Sequence, residues 1–370
     1  MRRMESYGRK MAAGLMAALA LMLGFNGLKL ESFAMTEAAP FSSQKQELSS
    51  IGTLVIADET KKQETAANPN LPPVLSTAPT AAFGSVTTPV TDPSSMFGPG
   101  RLTLLANKDT NAQSLSVIIE NGAGGLIVVD GGWTNNGASL LNEIKQRGGH
   151  VAAWLITHPD SDHAGALVDI LDNHSSEITI DGIYYSFLED EWYAGKDDNV
   201  AAMVSRIKSA FGKVPQNILH GDIVAGQVID AGPAKIQVLN SAYRMNGDYI
   251  NNSSVAYLVS LNGTNTVFLG DLAKLGGEQL MKDVDLKALD CDIVQMSHHG
   301  QNGVDYEVYK ALNPRVCLWA TPQWLWDNDN GGGPGSGPWL TQETRSWLVR
   351  LGVKENYCTK DGDQVIEYRE

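Results

Sequence analysis

Cysteine is scarce in this chain. Cys291, Cys317 and Cys358 are the only three among 370 residues, and all fall late. That excludes a disulfide framework, leaves at least one thiol unpaired and shows no zinc-finger spacing. The three read as buried strand residues or free thiols. Positive charge is also thin: 28 Lys and Arg face 42 Asp and Glu, for a net charge of −14. Such a field opposes a non-specific nucleic-acid coat, although a local basic groove stays open. The apolar run Met11–Phe25 is shorter than the roughly 20 residues a bilayer-spanning helix needs. Arg2, Arg3, Arg9 and Lys10 precede it, and Ser32-Phe33-Ala34 offers a small-x-small cleavage site. Residues 1–34 therefore read as a secretory signal peptide, with an uncleaved anchor as the alternative. Either reading places the bulk of the chain outside the cytoplasm, secreted or held at the outer membrane face. Trp and Tyr are absent from residues 35–100, where eight of the 15 prolines fall. This stretch reads as a flexible spacer with too little apolar surface to offset its ordering entropy; Ile51–Ala57 is its one candidate strand.

The remainder has a different texture. All eight Trp lie beyond Arg101, and 43% of the whole chain is hydrophobic, enough for a sizeable core. Periodicity predicts strands at Leu102–Ala106, Leu115–Glu120, Leu126–Asp130 and Val151–Thr157, with helices at Ala138–Arg147 and Ala164–Leu171 between and after them. Ile178–Phe187 reads as extended and Val200–Phe211 as helical. Further strands are expected at Lys235–Leu239, Val255–Leu261, Thr266–Leu269, Ile293–Met296 and Val316–Ala320. Helices follow at Leu275–Val284, Tyr306–Leu312 and Gln342–Leu351, and two strands close the chain. Several strands are joined too tightly for a simple βαβ series, which points to two sheets covered by helices.

The sharpest feature is Thr157-His158-Pro159-Asp160-Ser161-Asp162-His163, at the end of a buried strand and before a helix. Four candidate ligands within six residues can turn toward one point. Imidazole with carboxylate suits zinc, manganese or iron, and the two acids favour harder ions. A polar helix cap is the alternative, but acids packed this closely repel unless a cation compensates them. Gly270-Asp271 and Ser297-His298-His299-Gly300 share the same grammar of apolar strand, polar ligand, then turn.

On these residues the chain resembles the metallo-β-lactamase family over residues 101–370. The resemblance implies an α/β (α+β) fold, a four-layer αββα sandwich with a metal site along one sheet edge. Asp130-Gly131-Gly132 matches the first motif, in which the Asp is structural. His158 to His163 matches His-x-His-x-Asp-His, except that Asp160 replaces the second histidine. Asp271 matches the bridging aspartate and His298-His299 the last histidine motif. The His-x-Asp-x-Asp-His version is similar to that of the extracellular hydrolase domain of the DNA-uptake protein ComEC and of phosphorylcholine esterase. Asn251-Asn252-Ser253-Ser254-Val255, Phe268-Leu269-Gly270-Asp271 and Tyr357-Cys358-Thr359-Lys360-Asp361-Gly362 continue the ComEC-type match.

The resemblance implies two ions, Zn²⁺ or Mn²⁺. One position would use His158, Asp160 and Asp271, with Asn251 where a third histidine is usual; the other would use Asp162, His163, Asp271 and His299. Asp162 would orient a metal-activated water and His298 would stand beside the substrate as a donor or acid. Two ions roughly 3.5–4 Å apart suit displacement at a phosphoryl group. The expected function is a secreted metal-dependent phosphodiesterase or nuclease-like hydrolase. The alternatives are a non-catalytic binding protein on the same fold and a phosphorylcholine-esterase-like activity. Substrate is then a small molecule or phosphodiester. Nucleic acid is disfavoured by charge, because removing residues 1–34, with five Lys and Arg against two Glu, deepens the net charge from −14 to −17. Trp324 and Trp326 are candidate stacking residues for a base or a quaternary ammonium, or else they pack their loop onto the domain. Membrane contact is expected only through the N-terminal segment, and oligomeric state is not legible.

Overall fold

The computed structural model describes residues 100–368; the signal, the spacer and the Ile51–Ala57 strand lie outside the described residues. The described chain opens as an antiparallel meander of β1 (Gly100–Leu104), β2 (Ser116–Glu120) and β3 (Leu126–Asp130). Helix α1 (Gly137–Gln146) crosses to β4 (His150–Leu155), which runs parallel to β3. Helix α2 (Ser161–Asn173) is followed by the short strands β5 (Thr179–Ile180) and β6 (Ile183–Tyr184). A one-turn helix α3 (Asp190–Tyr193), helix α4 (Asp198–Phe211) and β7 (Leu219–His220) complete this half.

The second half begins with the antiparallel strands β8 (Val228–Ala231), β9 (Ala234–Val238), β10 (Tyr257–Leu261) and β11 (Thr264–Phe268). The β10–β11 turn is Asn262-Gly263, both at positive φ (50° and 71°), which is why this tight hairpin needs that pair. Then α5 (Lys274–Asp283), β12 (Ile293–Gln295), α6 (Tyr306–Leu312) and β13 (Val316–Trp319) alternate. The short α7 (Gln323–Trp326), α8 (Thr341–Leu351), β14 (Glu355–Cys358) and β15 (Gln364–Tyr368) end the chain.

Two sheets result. One has the order β15-β1-β2-β3-β4-β6-β7, with β5 also on β4; the other has the order β14-β13-β12-β11-β10-β9-β8. Alternation along the strands explains why they stack. In β2 and β3, Val117, Ile119, Ile127 and Val129 face the second sheet, meeting Ile236, Val238, Tyr257 and Phe268. Ile118 and Val128 face outward and are covered by Leu140 and Ile144 of α1, Leu167 and Ile170 of α2, and Met203 and Ile207 of α4. The second sheet's outer face, with Val267, Val294 and Trp319, lies under Leu280, Val308, Tyr309 and Leu348 from α5, α6 and α8. Strands buried on both faces read as continuous apolar runs, as Leu126–Asp130 does with every position buried. The architecture is the expected four-layer αββα sandwich.

Most predicted elements lie within two or three residues of their observed bounds. The exception is Ile178–Phe187, which breaks into β5 and β6 around Asp181-Gly182. The hairpin strand β8, the two-residue β7 and the one-turn helices α3 and α7 were not anticipated. They are too short or too exposed to carry a period; β8 alternates exposed and buried over four residues. Among the described residues no helix is long and apolar enough to cross a membrane.

Candidate metal centre

The parallel strands β3 and β4 of one sheet and β11, β12 and β13 of the other end at one edge of the sandwich. Carboxyl ends of parallel strands are where such sheets present ligand-binding loops. Four loops meet there. The first leaves β3 at Asp130, which sits at φ 55°. The second leaves β4 through Thr157 and His158 into α2, whose first turn carries Asp162 and His163 and whose N-cap is Asp160. The third, after β11, turns at Gly270 (φ 55°), where a Cβ would lie 2.7 Å from the Thr157 Cβ. The fourth, after β12, holds His298 and His299 at φ 51° and 55°. Two successive non-glycine residues in the left-handed region cost about 1–2 kcal/mol each, so the surrounding bonds must enforce them. The His298 N–H donates to the Gly270 carbonyl at 3.1 Å, and the Thr321 hydroxyl donates to the His299 carbonyl at 2.6 Å.

The two halves of the site are tied directly. Val255 N–H donates to the Thr157 carbonyl at 2.7 Å, and Asp271 N–H donates to Ser254 Oγ at 3.0 Å. Gln295, fully buried, accepts the Leu269 N–H at 2.9 Å and donates to the Gly270 carbonyl at 3.0 Å, clamping the turn that carries Asp271. Gln295 and Ser254 were given no role from the sequence. The signal for Gln295 was available, because an amide inside the apolar run Ile293–Met296 has to satisfy something buried.

The convergence is tight. His158, His163 and Asp271 each offer a ligand atom within 4.8 Å of the others, and Asp162, His163 and His299 do the same. His163 Nε2 stands 3.1 Å from Asp271 Oδ2, and His299 Nε2 stands 3.2 Å from Asp162 Oδ2 and 3.3 Å from Asp271 Oδ2. His158, His163 and His299 are all at most 1% exposed. The grouping differs from the expected one in that His163, rather than Asp160, joins His158 and Asp271. Asp160 is half-buried and its Oδ1 accepts the Ser161 N–H at 2.7 Å. Asn251 donates to Asp248 Oδ1 at 2.8 Å and lies 3.4 Å from His298 Nε2. His298 itself stands at the mouth, its Nε2 3.9 Å from Asp271 Oδ2.

Each buried imidazole is held by its other nitrogen. Asp130 Oδ2 lies 2.8 Å from His163 Nδ1, and the Ala320 carbonyl lies 3.1 Å from His299 Nδ1. Thr157 Oγ1 donates to Asp130 Oδ2 at 2.8 Å, so at 3.1 Å it accepts from His158 Nδ1. This network assigns the proton to Nδ1 in all three rings and leaves Nε2 free to ligate. The Nε2 atoms of His158, His163 and His299, with Asp271 Oδ1, are buried and lack an aligned hydrogen-bond partner. Orphaned buried donors and acceptors are costly, and here they face one point. The donor set, three imidazoles and two carboxylates, is one that zinc, manganese and iron accept. The residues therefore fit a metal.

Electrostatics agree. Burial, with His163 second, pushes His158 down to about 3, so it stays neutral. Burial also opposes charge on His299, but Asp271 and Asp162 overcome it and push the ring up to about 9. For His163, Asp271, Asp130 and Asp162 outweigh burial in the same way and raise it well above the usual imidazole range. Burial, then Asp162, pushes Asp160 up to about 6. The cluster thus collects positive charge, as protons when nothing else supplies it.

Residues 109–232 match the family model described as the metallo-beta-lactamase superfamily. That span includes Asp130 and His158 to His163; Asp271 and His299 lie beyond it. No curated protein matches the chain. Similar solved structures include the metallo-beta-lactamase fold protein YhfI from Bacillus subtilis, at 13% identity and TM-score 0.45, covering 73% of this chain and 100% of that one. CmlA, a diiron beta-hydroxylase from Streptomyces venezuelae, is 12% identical with TM-score 0.43, covering 72% of this chain and 54% of its own. A diphosphatase of the PhnP family is 11% identical with TM-score 0.40, covering 72% and 98%.

The two tryptophans singled out for substrate are engaged elsewhere. Trp324 Nε1 donates to the Asn111 carbonyl at 2.7 Å, and its ring packs edge-on against Trp339. Trp326 packs edge-on against Trp319 and beneath the Arg345 guanidinium. The three cysteines are buried and free.

Proposed function

We propose that this chain is a secreted metal-dependent hydrolase of phosphodiester bonds. The observation that carries the reading is the set of three imidazoles locked by Thr157, Asp130 and Ala320 so that their Nε2 atoms converge on Asp271. His158, His163, Asp162, Asp271 and His299 would hold one or two ions, Zn²⁺ or Mn²⁺, with Asp160 within electrostatic reach of Asp162. Bound there, the metal would supply Lewis-acid polarisation and acidify water at neutral pH.

The chain's own groups supply the rest. Asp162, 3.2 Å from His299 Nε2 and set in the first turn of α2, would orient the attacking water and accept its proton. As the P–O bond breaks, the partly exposed His298, whose Nε2 lies 3.4 Å from the Asn251 amide nitrogen, would give a proton to the departing oxygen. The phosphodiester part of the reading is supported by the motif resemblance to the ComEC-type domain and phosphorylcholine esterase. The basic stretch before Met11–Phe25 and the composition of residues 35–100 support export through a signal or anchor over 1–34 and a spacer over 35–100, ahead of a hydrolase domain at 101–370.

The test is metal analysis of the purified protein together with hydrolysis of bis(p-nitrophenyl) phosphate. Chelation should abolish turnover and Zn²⁺ or Mn²⁺ should restore it, while His163→Ala and Asp271→Ala should each remove it. A rate that survives either substitution would sink the mechanism. Folded protein that binds no metal and turns nothing over would favour a non-catalytic binding role instead.

A further inference from the structure

Among the described residues, Arg206 is the one arginine with neither a carboxylate nor a ring for a partner. Arg101, Arg147, Arg244 and Arg315 are ion-paired, and Arg345 and Arg350 lie over the rings of Trp326 and Tyr306. Arg206, exposed on α4, uses a single donor: its Nη2 donates to Thr134 Oγ1 at 3.2 Å. The nearby acids of α2 are engaged elsewhere. Asp172 is paired with Lys213 at 2.8 Å, and Asp169 Oδ1 accepts the Asn173 amide at 2.8 Å. The other Asp169 oxygen lies against Gly137 at the amino end of α1, where an added Cβ would come within 2.1 Å of it. A guanidinium carries five N–H donors in a planar fork that matches an oxyanion. A chain with 42 Asp and Glu against 28 Lys and Arg has carboxylates enough to pair every guanidinium, so the one it leaves open invites an outside anion.

Arg206 opens into a cavity of about 600 Å³ whose wall includes Trp133, Thr134, Ala138, Ser161 and Asp169. That volume is in the range of small-molecule sites. The cavity adjoins the metal centre through shared chain. Ser161 stands between Asp160 and the candidate ligand Asp162. Gly132 N–H donates to the His163 carbonyl at 3.2 Å, and the Gly132 carbonyl accepts the Ala166 N–H at 2.9 Å, which lays Trp133 and Thr134 against the first turns of α2. An added Cβ on Gly165 would lie 2.4 Å from Thr134 N, so Thr134 stands abreast of Gly165. Gly165 is four residues beyond Ser161, about 6 Å along the helix. Thr134, which holds the guanidinium, is thus about one helical turn from the loop of candidate ligands and outside their set. Trp133 supplies an apolar wall: its Nε1 donates to the Gln113 carbonyl at 2.6 Å, which fixes the indole and leaves it half-buried.

We propose that this cavity binds a small organic acid, its singly charged oxyanion on Arg206 and Thr134 and its flat apolar body against Trp133. Asp169 in the same wall opposes a second negative charge, which favours a carboxylate or a singly charged phosphoryl group over a dianion. The site is separate from the metal ligands and stands without the hydrolase reading. Two sources share its chemistry: the non-reacting end of a substrate held at the metal, or a separate acid that binds beside it.

The test titrates sodium benzoate into the full-length, chelator-stripped protein by calorimetry, with sodium chloride at matched ionic strength as the control. Saturable binding at one site is expected. Arg206→Gln should weaken it about ten-fold or more, and Arg206→Lys, which keeps the charge and loses the fork, about three-fold or more. Both changes fall on an exposed side chain, and circular dichroism checks that the fold is kept. Trp133→Leu should weaken benzoate about three- to ten-fold. The proposal is overturned by absence of saturable binding, by equal competition from chloride, or by an Arg206→Gln variant that binds as wild type does. The last result would put the anion on the protonated imidazoles instead. With metal restored, cleavage of bis(p-nitrophenyl) phosphate separates the two sources. Benzoate that raises KM in wild type but not in Arg206→Gln assigns the cavity to the substrate's far end; benzoate that binds and leaves KM unchanged assigns it to a separate acid. Protein that cleaves nothing removes the hydrolase reading and leaves the benzoate titration to decide this site.

Discussion

Asp130→Asn isolates the orienting network from the ligands themselves. The Asp130 carboxylate is fully buried and accepts three hydrogen bonds, each of 2.8 Å, from Thr157 N–H, the Thr157 hydroxyl and His163 Nδ1. An isosteric amide can accept at one end only. If its NH₂ replaces Oδ2, His163 must surrender its Nδ1 proton and carry it on Nε2, the atom that faces Asp271 and His299. If the amide is turned over, its NH₂ opposes the Thr157 N–H, and a buried donor left without an acceptor costs about 1–3 kcal/mol. The first arrangement is the cheaper, because the tautomer can shift. Stability of the chelated protein should therefore fall by no more than about 1–3 kcal/mol, while metal affinity should fall about ten- to hundred-fold. Urea unfolding of stripped protein and calorimetric titration of Zn²⁺ or Mn²⁺ measure the two. A folded Asp130→Asn variant that binds metal within two-fold of wild type would refute the argument.

Three further outcomes follow from the same geometry. The metal-free fold holds protons on His163 and His299 more tightly than the unfolded chain does. Their stabilisation is therefore full below pH 6.5; that from His299 is lost as pH rises through about 9, and that from His163 is lost only well above the usual imidazole range. Metal uptake at pH 7 should accordingly release about one to two protons, and fewer as pH rises through about 9 and His299 loses its own, measurable by titration in buffers of different ionisation enthalpy; zero release at pH 7 would contradict the site. Gly165→Ala should destabilise by about 1–3 kcal/mol in urea despite the better helix propensity of Ala, because the added Cβ would lie 2.7 Å from the Trp133 carbonyl carbon. A gain in stability would show that α2 does not press on the loop after β3. Burial pushes the Cys291 thiol up to about 12 and Cys358 up to about 11, so at pH 8 Ellman's reagent should find no thiol in native protein and all three after denaturation.

How far the sequence reached depends on what kind of feature was being read. The ligand loops were legible because chemistry and period coincide there: a buried strand cannot end in His158, Asp160, Asp162 and His163 without a reason. The grouping around His163 was not legible. Whether Asp160 or His163 joins His158 depends on the side-chain direction at the first turn of α2, which spacing leaves open. The strand edges at β7 and β8 were missed for want of length, and Gln295 because one amide in an apolar run looks like noise until its two partners are seen. Trp324 and Trp326 drew attention by flanking a glycine-rich loop, yet Trp324 packs edge-on against Trp339, and Trp326 packs against Trp319 and beneath Arg345, partners that the spacing does not reveal.

Acidity and site chemistry meet at this point. A net charge of −14 described the whole chain and left open where the charge acts. In the fold, Asp162 and Asp271 are buried at the centre, Asp160 is half-buried, and the exposed Asp248 stands within electrostatic reach of His298 and Asp271. That arrangement draws positive charge to the buried imidazoles, as protons or as a metal. The acids that hold a proton on His299 in the metal-free fold are the ones a metal would meet, so proton release on metal uptake reads that field directly.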